Sequence, residues 1–220
     1  MHLLIRFRRK KENVLKKMNM KTIKFLLSFL LLLVSANFVL GQVQFGGTAG
    51  IGFATQSELG SIYNDDDLYT GFNAGFIVRK PINDWFAIKT NLLYSHKGKS
   101  FENIEDYKNL EQTYKFSYLE IPIKAEFSAP LNNQRLFCAI GPYAGFLLNA
   151  KKKINNTSSS IKEQSEDTDF GISMEIGIIK PIEKLDIQIS VNYDMGLSEI
   201  TKYDNELKNK SLTLNFGLLF

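Results

Sequence analysis

The strongest constraint on the fold is an alternation of apolar and polar residues with a period of two, which is clearest in the last segment of the chain. In "LTLNFGLLF" the residues of the apolar parity are Leu212, Leu214, Phe216, Leu218 and Phe220. Successive side chains of a β-strand point to opposite faces of its sheet. The pattern therefore predicts a strand with one apolar face.

Seven earlier segments repeat this pattern. They read "VQFGGTAGIGF", "FNAGFIV", "WFAIKTNLLY", "SYLEIPIKAEF", "LFCAIGPYAGFLL", "DFGISMEIGII" and "LDIQISVNYDMGL". Most run for roughly ten residues, the length that a tilted transmembrane strand needs. No segment after residue 41 has the apolar period of a helix.

The connections between the segments alternate in length. Three are short, at 80–84, 129–134 and 180–184, and four are longer and polar, at about 56–67, 98–112, 150–168 and 198–209. Short turns at one end and long loops at the other are typical of outer-membrane barrels. The sequence therefore predicts an all-β fold, an eight-stranded antiparallel up-and-down transmembrane β-barrel in the outer membrane. An even strand number places both mature termini at the periplasmic, short-turn end.

Glycine indicates which face points inward, which alternation alone leaves open because a soluble lipocalin-like barrel also alternates. Eleven strand glycines share the polar parity, and only Gly47 does not. The eleven are Gly46, Gly50, Gly52, Gly71, Gly75, Gly141, Gly145, Gly171, Gly177, Gly196 and Gly217. Small residues relieve crowding inside a narrow barrel, whereas they weaken a solvent-exposed strand face. This distribution favours a glycine-rich lumen and an apolar face toward lipid.

The polar parity also carries charges of both signs. The charged residues are Arg79, Lys89, Glu120, Lys124, Glu126, Glu175, Asp186 and Asp194. Because buried charges need partners, we expect them to form a paired network that fills and closes the lumen. The partners of Glu120, Lys124 and Glu126 should come from neighbouring strands, and Lys89 is a candidate because its strand precedes theirs. A structural network is the favoured interpretation, and a proton path or small-ligand site is the alternative.

The front of the chain reads as an export signal. A basic start and an apolar run from Phe25 to Val34 precede small and neutral residues up to Gly41. This is the pattern of a secretory signal peptide, so we expect a signal at 1–41 and a barrel domain at 42–220. Residues 1–17 are either an extended basic region or an over-called start, and we favour the second interpretation.

Cleavage would reverse the net charge. Nine of 27 Lys and Arg residues and one of 23 Asp and Glu residues precede residue 42, which leaves 18 basic and 22 acidic residues and a net charge of −4. The basic character of the full chain is therefore no argument for nucleic-acid binding. With one cysteine, Cys138, and one remaining histidine, His96, neither an internal disulfide nor a histidine-based metal site is expected.

Four stretches, "SYLEIPIKAEF", "FCAIGPYAGFLL", "DFGISMEIGI" and "LTLNFGLLF", resemble the PorT-like outer-membrane β-barrel family of Bacteroidota-type Gram-negative bacteria. The resemblance spans about 42–220, and the runs at 118–122 and 141–143 are its most specific parts. It implies an eight-stranded barrel and does not imply an enzyme. PorT itself is associated with protein secretion and gliding, which makes a secretion role an analogy.

Candidate catalytic and metal sites are weak. "YSHKGKS" offers Ser95, His96 and Ser100 at the expected outer rim, but His96 has the lipid-facing parity and no acid is placed nearby. The acidic run at 64–67 lacks the ligand spacing of a calcium loop. No phosphate loop or dinucleotide motif is present, so we expect no enzyme, cofactor or metal.

Interfacial residues form a further group of candidates. Three successive lysines at 151–153 either meet lipid phosphates or form a solvated flank. Trp85, Tyr94 and Tyr118 are expected near strand ends, in the aromatic girdles of the barrel.

The C-terminal pattern also suggests how the barrel is assembled. An alternating last strand ending in an aromatic residue resembles the signal that the barrel-assembly machinery recognises, carried here by Phe216 and Phe220. The expected partners are this machinery, outer-membrane lipid and an envelope or secretion protein. The expected function is structural or interactive, through four extracellular loops; the alternatives are a secretion accessory, transport of small apolar molecules and a soluble ligand-binding barrel.

Overall fold

The alternating segments form one antiparallel sheet in the computed structural model, which describes residues 43–57, 68–105, 108–154, 157–202 and 207–220. Its strands are β1 (Gln44–Ser57), β2 (Tyr69–Pro81), β3 (Phe86–Glu105), β4 (Lys108–Leu131), β5 (Gln134–Ile154), β6 (Thr157–Ser160), β7 (Thr168–Ile182), β8 (Leu185–Gly196) and β9 (Lys208–Leu219). A 3-10 turn at Lys162–Gln164 follows β6. Among the described residues, no helix is long and apolar enough to cross a membrane.

Eight of these strands close into a barrel, as the sequence predicted. β9 pairs with both β8 and β1, and β4 pairs with β5, so the ring has no open edge. The seam between β1 and β9 runs from the pair Gly46 and Leu219 to the pair Ser57 and Lys208. The short strand β6 lies outside the ring and pairs only with the end of β5. Closure satisfies the backbone groups that an open sheet would leave exposed.

The outer face of the barrel is a belt of large apolar side chains. Phe76 is 69% exposed, Ile51 68% and Ile176 57%, and apolar residues of the same parity are exposed on every strand of the ring. Exposed apolar surface of this extent is typical of a membrane-facing or protein-binding surface. The inward face of the same strands carries the buried charged and polar residues. The apolar face therefore points outward, as the glycine distribution predicted.

One end of the barrel, the turn end, has tight connections. Asn132 and Glu183 each begin a two-residue turn with a positive φ of 52°. In the third connection, the Asn83 side-chain oxygen accepts hydrogen bonds from the backbone N–H groups of Trp85 and Phe86 at 3.1 and 2.8 Å. The last backbone groups of the chain also lie here, where Phe220 exchanges two hydrogen bonds with Phe45.

The opposite end, the loop end, differs from the prediction. The expected long loop at 98–112 is mostly strand, since β3 continues to Glu105 and β4 begins at Lys108. The expected loop at 150–168 contains the end of β5 and all of β6. Strands of 20, 24 and 21 residues are about twice as long as a membrane requires. The sequence prediction ended these strands early because the apolar–polar alternation is lost in these stretches, which are rich in charged and polar residues.

Candidate functional site

The lumen holds three groups of paired charges, stacked from the turn end to the loop end. In the turn-end group, Arg79 Nε donates to Glu126 Oε1 at 2.8 Å, and Arg79 Nη1 donates to Gln44 Oε1 at 2.7 Å. Gln44 in turn donates to Asp186 Oδ2 at 2.6 Å. The chain of contacts links strands β1, β2, β4 and β8 across the barrel.

The central group is built around Glu175. Its two oxygens accept from Lys89 Nζ at 2.8 Å and Lys124 Nζ at 2.5 Å. Gln188 and Ser190 donate to the same carboxylate at 2.9 and 2.7 Å. All five side chains are buried. A buried carboxylate is tolerated here because two cations and two further donors replace its water.

The loop-end group places one lysine among three acids. Lys97 Nζ lies 2.5 Å from Glu120, 3.6 Å from Asp194 and 3.9 Å from Asp169. Its ammonium group also sits 4.4 Å from the centre of the Tyr143 ring, a cation–π distance. The four charged side chains are buried, so this single cation compensates several carboxylates.

The expected pairing of Lys89 with an acid of β4 is wrong. Neighbouring strands also do not supply every partner of β4, since Glu126 pairs with Arg79 on β2 and Lys124 pairs with Glu175 on β7. Lys89 reaches across the lumen to Glu175 on β7, and Glu120 pairs with Lys97 instead. Sequence reasoning missed Lys97 because it lies beyond the expected end of its strand, and it missed Asp169 because that residue is the first of its predicted segment. Continuing the alternation from Leu93 through Ser95 to Lys97 would have placed the Lys97 side chain in the lumen.

The rest of the lumen is closely filled. Near the turn end, Ile77, Phe137, Ile179 and Leu219 are at most 1% exposed and form an apolar layer of the inward face. Between the groups of charges lies a polar cavity of about 20 Å³. That is roughly the space of one water molecule. The described lumen therefore leaves no wide aqueous path.

A larger cavity, which we call the loop-end pocket, lies inside the extended wall of β3, β4 and β5. Its volume is about 390 Å³. Tyr114, Phe116 and Ile161 provide apolar lining, and Lys99 and Lys152 provide positive charge. Phe116 also belongs to a small apolar core with Tyr118, Leu147 and Ala150, which gives the pocket a fixed floor.

The pocket is connected to the loop-end group by hydrogen bonds. Gln56, which lines the pocket, donates to Asn209 Oδ1 at 3.4 Å. Asn209 donates to Asp169 Oδ2 at 2.9 Å and to the Tyr118 hydroxyl at 3.2 Å. Hydrogen bonds through Asn209 therefore connect the pocket residue Gln56 and the Tyr118 hydroxyl of the floor to Asp169 in the loop-end group.

The lysine run at 151–153 divides between the two faces. Lys152 enters the pocket, and its ammonium group lies 5.1 Å from the centre of the Tyr114 ring. Lys151 and Lys153 are exposed on the outer face. A register shift between β4 and β5 at Ser117 and Tyr118 causes this arrangement, because it reverses the inward parity of β5 beyond Leu147.

The rim residues do not assemble into a catalytic group. Ser95 is buried on the inner face, whereas His96 has the outward parity of the same strand. His96 Nε2 shares a hydrogen bond with the Tyr94 hydroxyl at 3.0 Å and packs against Phe72 with ring centres 4.3 Å apart. Ser100 hydrogen-bonds to Thr113. His96 is thus part of an aromatic cluster on the outer surface.

The aromatic candidates behave differently from one another. Trp85 and Tyr94 are 57% and 41% exposed on the outer surface, and Trp85 stacks on Phe127 at 6.0 Å. Tyr118 is only 1% exposed, so its expected place in a girdle is wrong. It has the inward parity of β4 and packs beside Phe116.

Metal candidates find no support in the described part of the chain, where no three His, Cys, Asp or Glu side chains are arranged to hold an ion. The acidic run at 64–67 lies outside the described residues. Phe216 and Phe220 both point outward, 50% and 70% exposed.

This architecture agrees with the family that matches the chain. The family described as "Outer membrane protein beta-barrel domain" matches residues 34–202. Among solved structures, Ail, the attachment invasion locus protein of Yersinia pestis, is similar with 16% identity and a TM-score of 0.42, covering 81% of this chain and 99% of that one. Neisserial surface protein A is similar with 14% identity and a TM-score of 0.46, and the match covers 80% of this chain and 95% of that one. No curated protein matches the chain by sequence. The family match spans most of the chain, which therefore belongs to the outer-membrane protein β-barrel domain family.

Proposed function

We propose that this protein is a non-enzymatic outer-membrane barrel with a structural or interactive role, performed at its loop end. The observation that carries the proposal is the contrast between the two parts of the molecule. The lumen is filled by paired charges and apolar side chains, whereas β3, β4 and β5 continue well beyond the apolar belt. Because the filled lumen leaves no wide path for solutes, we expect the protein to act through contacts made at the surface of its loop end.

The proposal includes an orientation and a processing step. Residues 1–41 would be removed as a signal peptide, which leaves a mature chain of 42–220. Both termini and the tight turns would face the periplasm, and the loop end would face the exterior, as barrels of this architecture are arranged. Outer-membrane lipid would contact the apolar belt, and the barrel-assembly machinery would recognise β9.

A cysteine-labelling experiment tests the orientation. Cys138, which is exposed, is replaced by alanine, and single cysteines are introduced as Ser159→Cys in β6 and Asn133→Cys in a tight turn. In intact cells, a membrane-impermeant maleimide should label the first variant and not the second. Labelling of Asn133→Cys alone would reverse the orientation.

A role in protein secretion is the second candidate, and it rests on the resemblance to the PorT-like family. The most specific matching residues have packing roles in this barrel: Glu120 pairs with Lys97, and Tyr143 covers the same ammonium group. Those residues therefore support a shared barrel interior more directly than a shared secretion partner. Transport of small apolar molecules has less support, because polar groups line the small central cavity.

Isolation of complexes from detergent-solubilised outer membrane separates these roles. The variant to compare replaces 101–112 by Asn-Gly, which shortens the β3–β4 hairpin and keeps the pairing of Ser100 with Thr113. We expect a partner to co-purify with the full chain and to be lost with the shortened one, at equal barrel yield. Secretion proteins among the captured partners would favour the second candidate. Equal capture by both chains would contradict a role for the extended wall.

A further inference from the structure

The loop-end pocket has the dimensions of a ligand site. Its volume of about 390 Å³ falls in the range of small-molecule pockets, which are commonly about 300–1,000 Å³. One wall is the inner face of β3, β4 and β5. The opposite side includes Ile161, which precedes the 3-10 turn, and Ser165, which follows it. Backbone hydrogen bonds fix this side: Ile161 N–H donates to Ala150 O, and Glu166 N–H donates to Ile200 O, both at 3.0 Å.

Three residues in register across the strands give the wall a definite chemistry. Lys99 on β3 is directly opposite Tyr114 on β4, and Tyr114 is directly opposite Lys152 on β5. A tyrosine ring is thus flanked by a lysine on each side. Within the described residues, the Lys152 ammonium group contacts the Tyr114 ring and forms no ion pair.

The remaining described lining adds apolar surface and uncharged polar groups. Phe116 and Ile161 continue the apolar wall beside Tyr114, and Gln164 and Thr201 supply an amide and a hydroxyl. None of the described lining residues is acidic. The pocket therefore combines an aromatic surface with the positively charged Lys152, which contacts the Tyr114 ring.

We propose that the loop-end pocket binds a small organic anion, a carboxylate or sulfonate attached to an apolar body. The anionic group would lie at Lys152, where a charge-assisted hydrogen bond can form. The apolar body would lie against Tyr114 and Phe116. An organic cation would face two lysines, and a neutral apolar molecule would leave the Lys152 charge unpaired. This inference does not depend on a protein partner for the loop end.

Fluorine NMR with 4-(trifluoromethyl)benzoate tests the proposal on the full mature chain in lipid nanodiscs, with empty nanodiscs as the blank. We expect saturable binding of this anion, and at least tenfold weaker binding of the neutral 4-(trifluoromethyl)benzamide. Lys152→Gln should weaken benzoate binding about tenfold, which is about 1.4 kcal/mol. Lys153→Gln is the matched control, since it removes the same charge from the next residue on the outer face, and it should leave binding within twofold.

Each other outcome contradicts the proposal. Equal losses for the two lysine variants would mean that the benzoate responds only to overall charge. Equal binding of benzoate and benzamide would mean apolar partitioning. Absence of saturable binding of benzoate by a protein that is folded, as judged by its heat-dependent electrophoretic shift, would show that the pocket does not take this class of ligand.

Discussion

Lys97 Nζ lies 2.5 Å from Glu120 Oε1, and these two side chains form the closest ion pair of a group with more acids than cations. Asp194 and Asp169 lie 3.6 and 3.9 Å from the same nitrogen. The two partners are therefore not equivalent. Loss of Glu120 leaves Lys97 with two carboxylates, whereas loss of Lys97 leaves three carboxylates without their cation.

This asymmetry predicts unequal effects on stability. Lys97→Met should lower the free energy of unfolding by about 3–5 kcal/mol, the cost of breaking a buried pair by removing one partner. Glu120→Gln should cost less, about 1–3 kcal/mol, because the amide keeps an acceptor. Urea titration of the barrel refolded in lipid vesicles measures both. The exposed Lys180→Gln should stay within about 0.5 kcal/mol. A larger loss for Glu120→Gln than for Lys97→Met would contradict the arrangement.

Adjacent glycines on opposite faces give a second prediction. A Cβ on Gly46 would overlap the carbonyl oxygen of Leu218 across the seam, whereas a Cβ on Gly47 has its nearest neighbour at 3.8 Å, the Gly75 oxygen. Gly46→Ala should therefore reduce the refolded yield and the stability, and Gly47→Ala should preserve both. Heat-dependent electrophoretic mobility and urea titration give these two quantities. Equal behaviour of the two variants would mean that the strands are less closely packed at the seam than the structure shows.

The filled lumen predicts little ion conduction. Glu175 holds Lys89 and Lys124 across the centre, and the apolar layer of Ile77 and Phe137 lies toward the turn end. Purified protein in planar bilayers should give no stable, large conductance, whereas an open porin in the same preparation should. Persistent stepwise openings would show that the lumen opens in a membrane.

Phe220 has separable backbone and side-chain roles. Its N–H and C=O exchange hydrogen bonds with Phe45 at 2.8 and 3.1 Å, and its ring is 70% exposed. Deletion removes both features, whereas Phe220→Ala removes only the ring. If the ring is an assembly signal, Phe220→Ala should strongly reduce surface-exposed barrel in cells and change refolding in detergent little. Small and equal losses in the two assays would leave the ring as an interfacial residue only.

Two lysines on the outer face predict a response to anionic lipid. Lys115 is directly opposite Lys151 in the β4–β5 register, and like charges so placed are unfavourable without a counter-charge. Vesicles containing lipid with phosphate monoester headgroups should stabilise the barrel more than zwitterionic vesicles do. Lys151→Gln should reduce that difference, and Lys184→Gln at the turn end should not. An unchanged difference in Lys151→Gln would indicate a solvated flank.

The sequence alone determined the barrel, its strand number and the assignment of its faces. Alternation with a period of two is a local property of each strand, so it can be read without knowledge of the neighbours. The glycines then distinguished the inner face, because only a narrow interior requires small residues at so many positions. Arg79, Glu126 and Glu175 could be placed inside the barrel for the same reason.

The pairing of the charges depends on the closed barrel and could not be predicted strand by strand. Lys89 is opposite Lys124 in the β3–β4 register, yet its partner Glu175 comes from β7 across the lumen. Which side chains meet across the lumen depends on how far each strand is shifted relative to its neighbours around the ring. That shift cannot be read from the sequence of one strand. The bulge opposite Tyr118 likewise turned Lys152 into the pocket and Lys151 and Lys153 outward. One unpaired residue reverses every later side chain of a strand, so the loop-end pocket could not be read from the alternation itself.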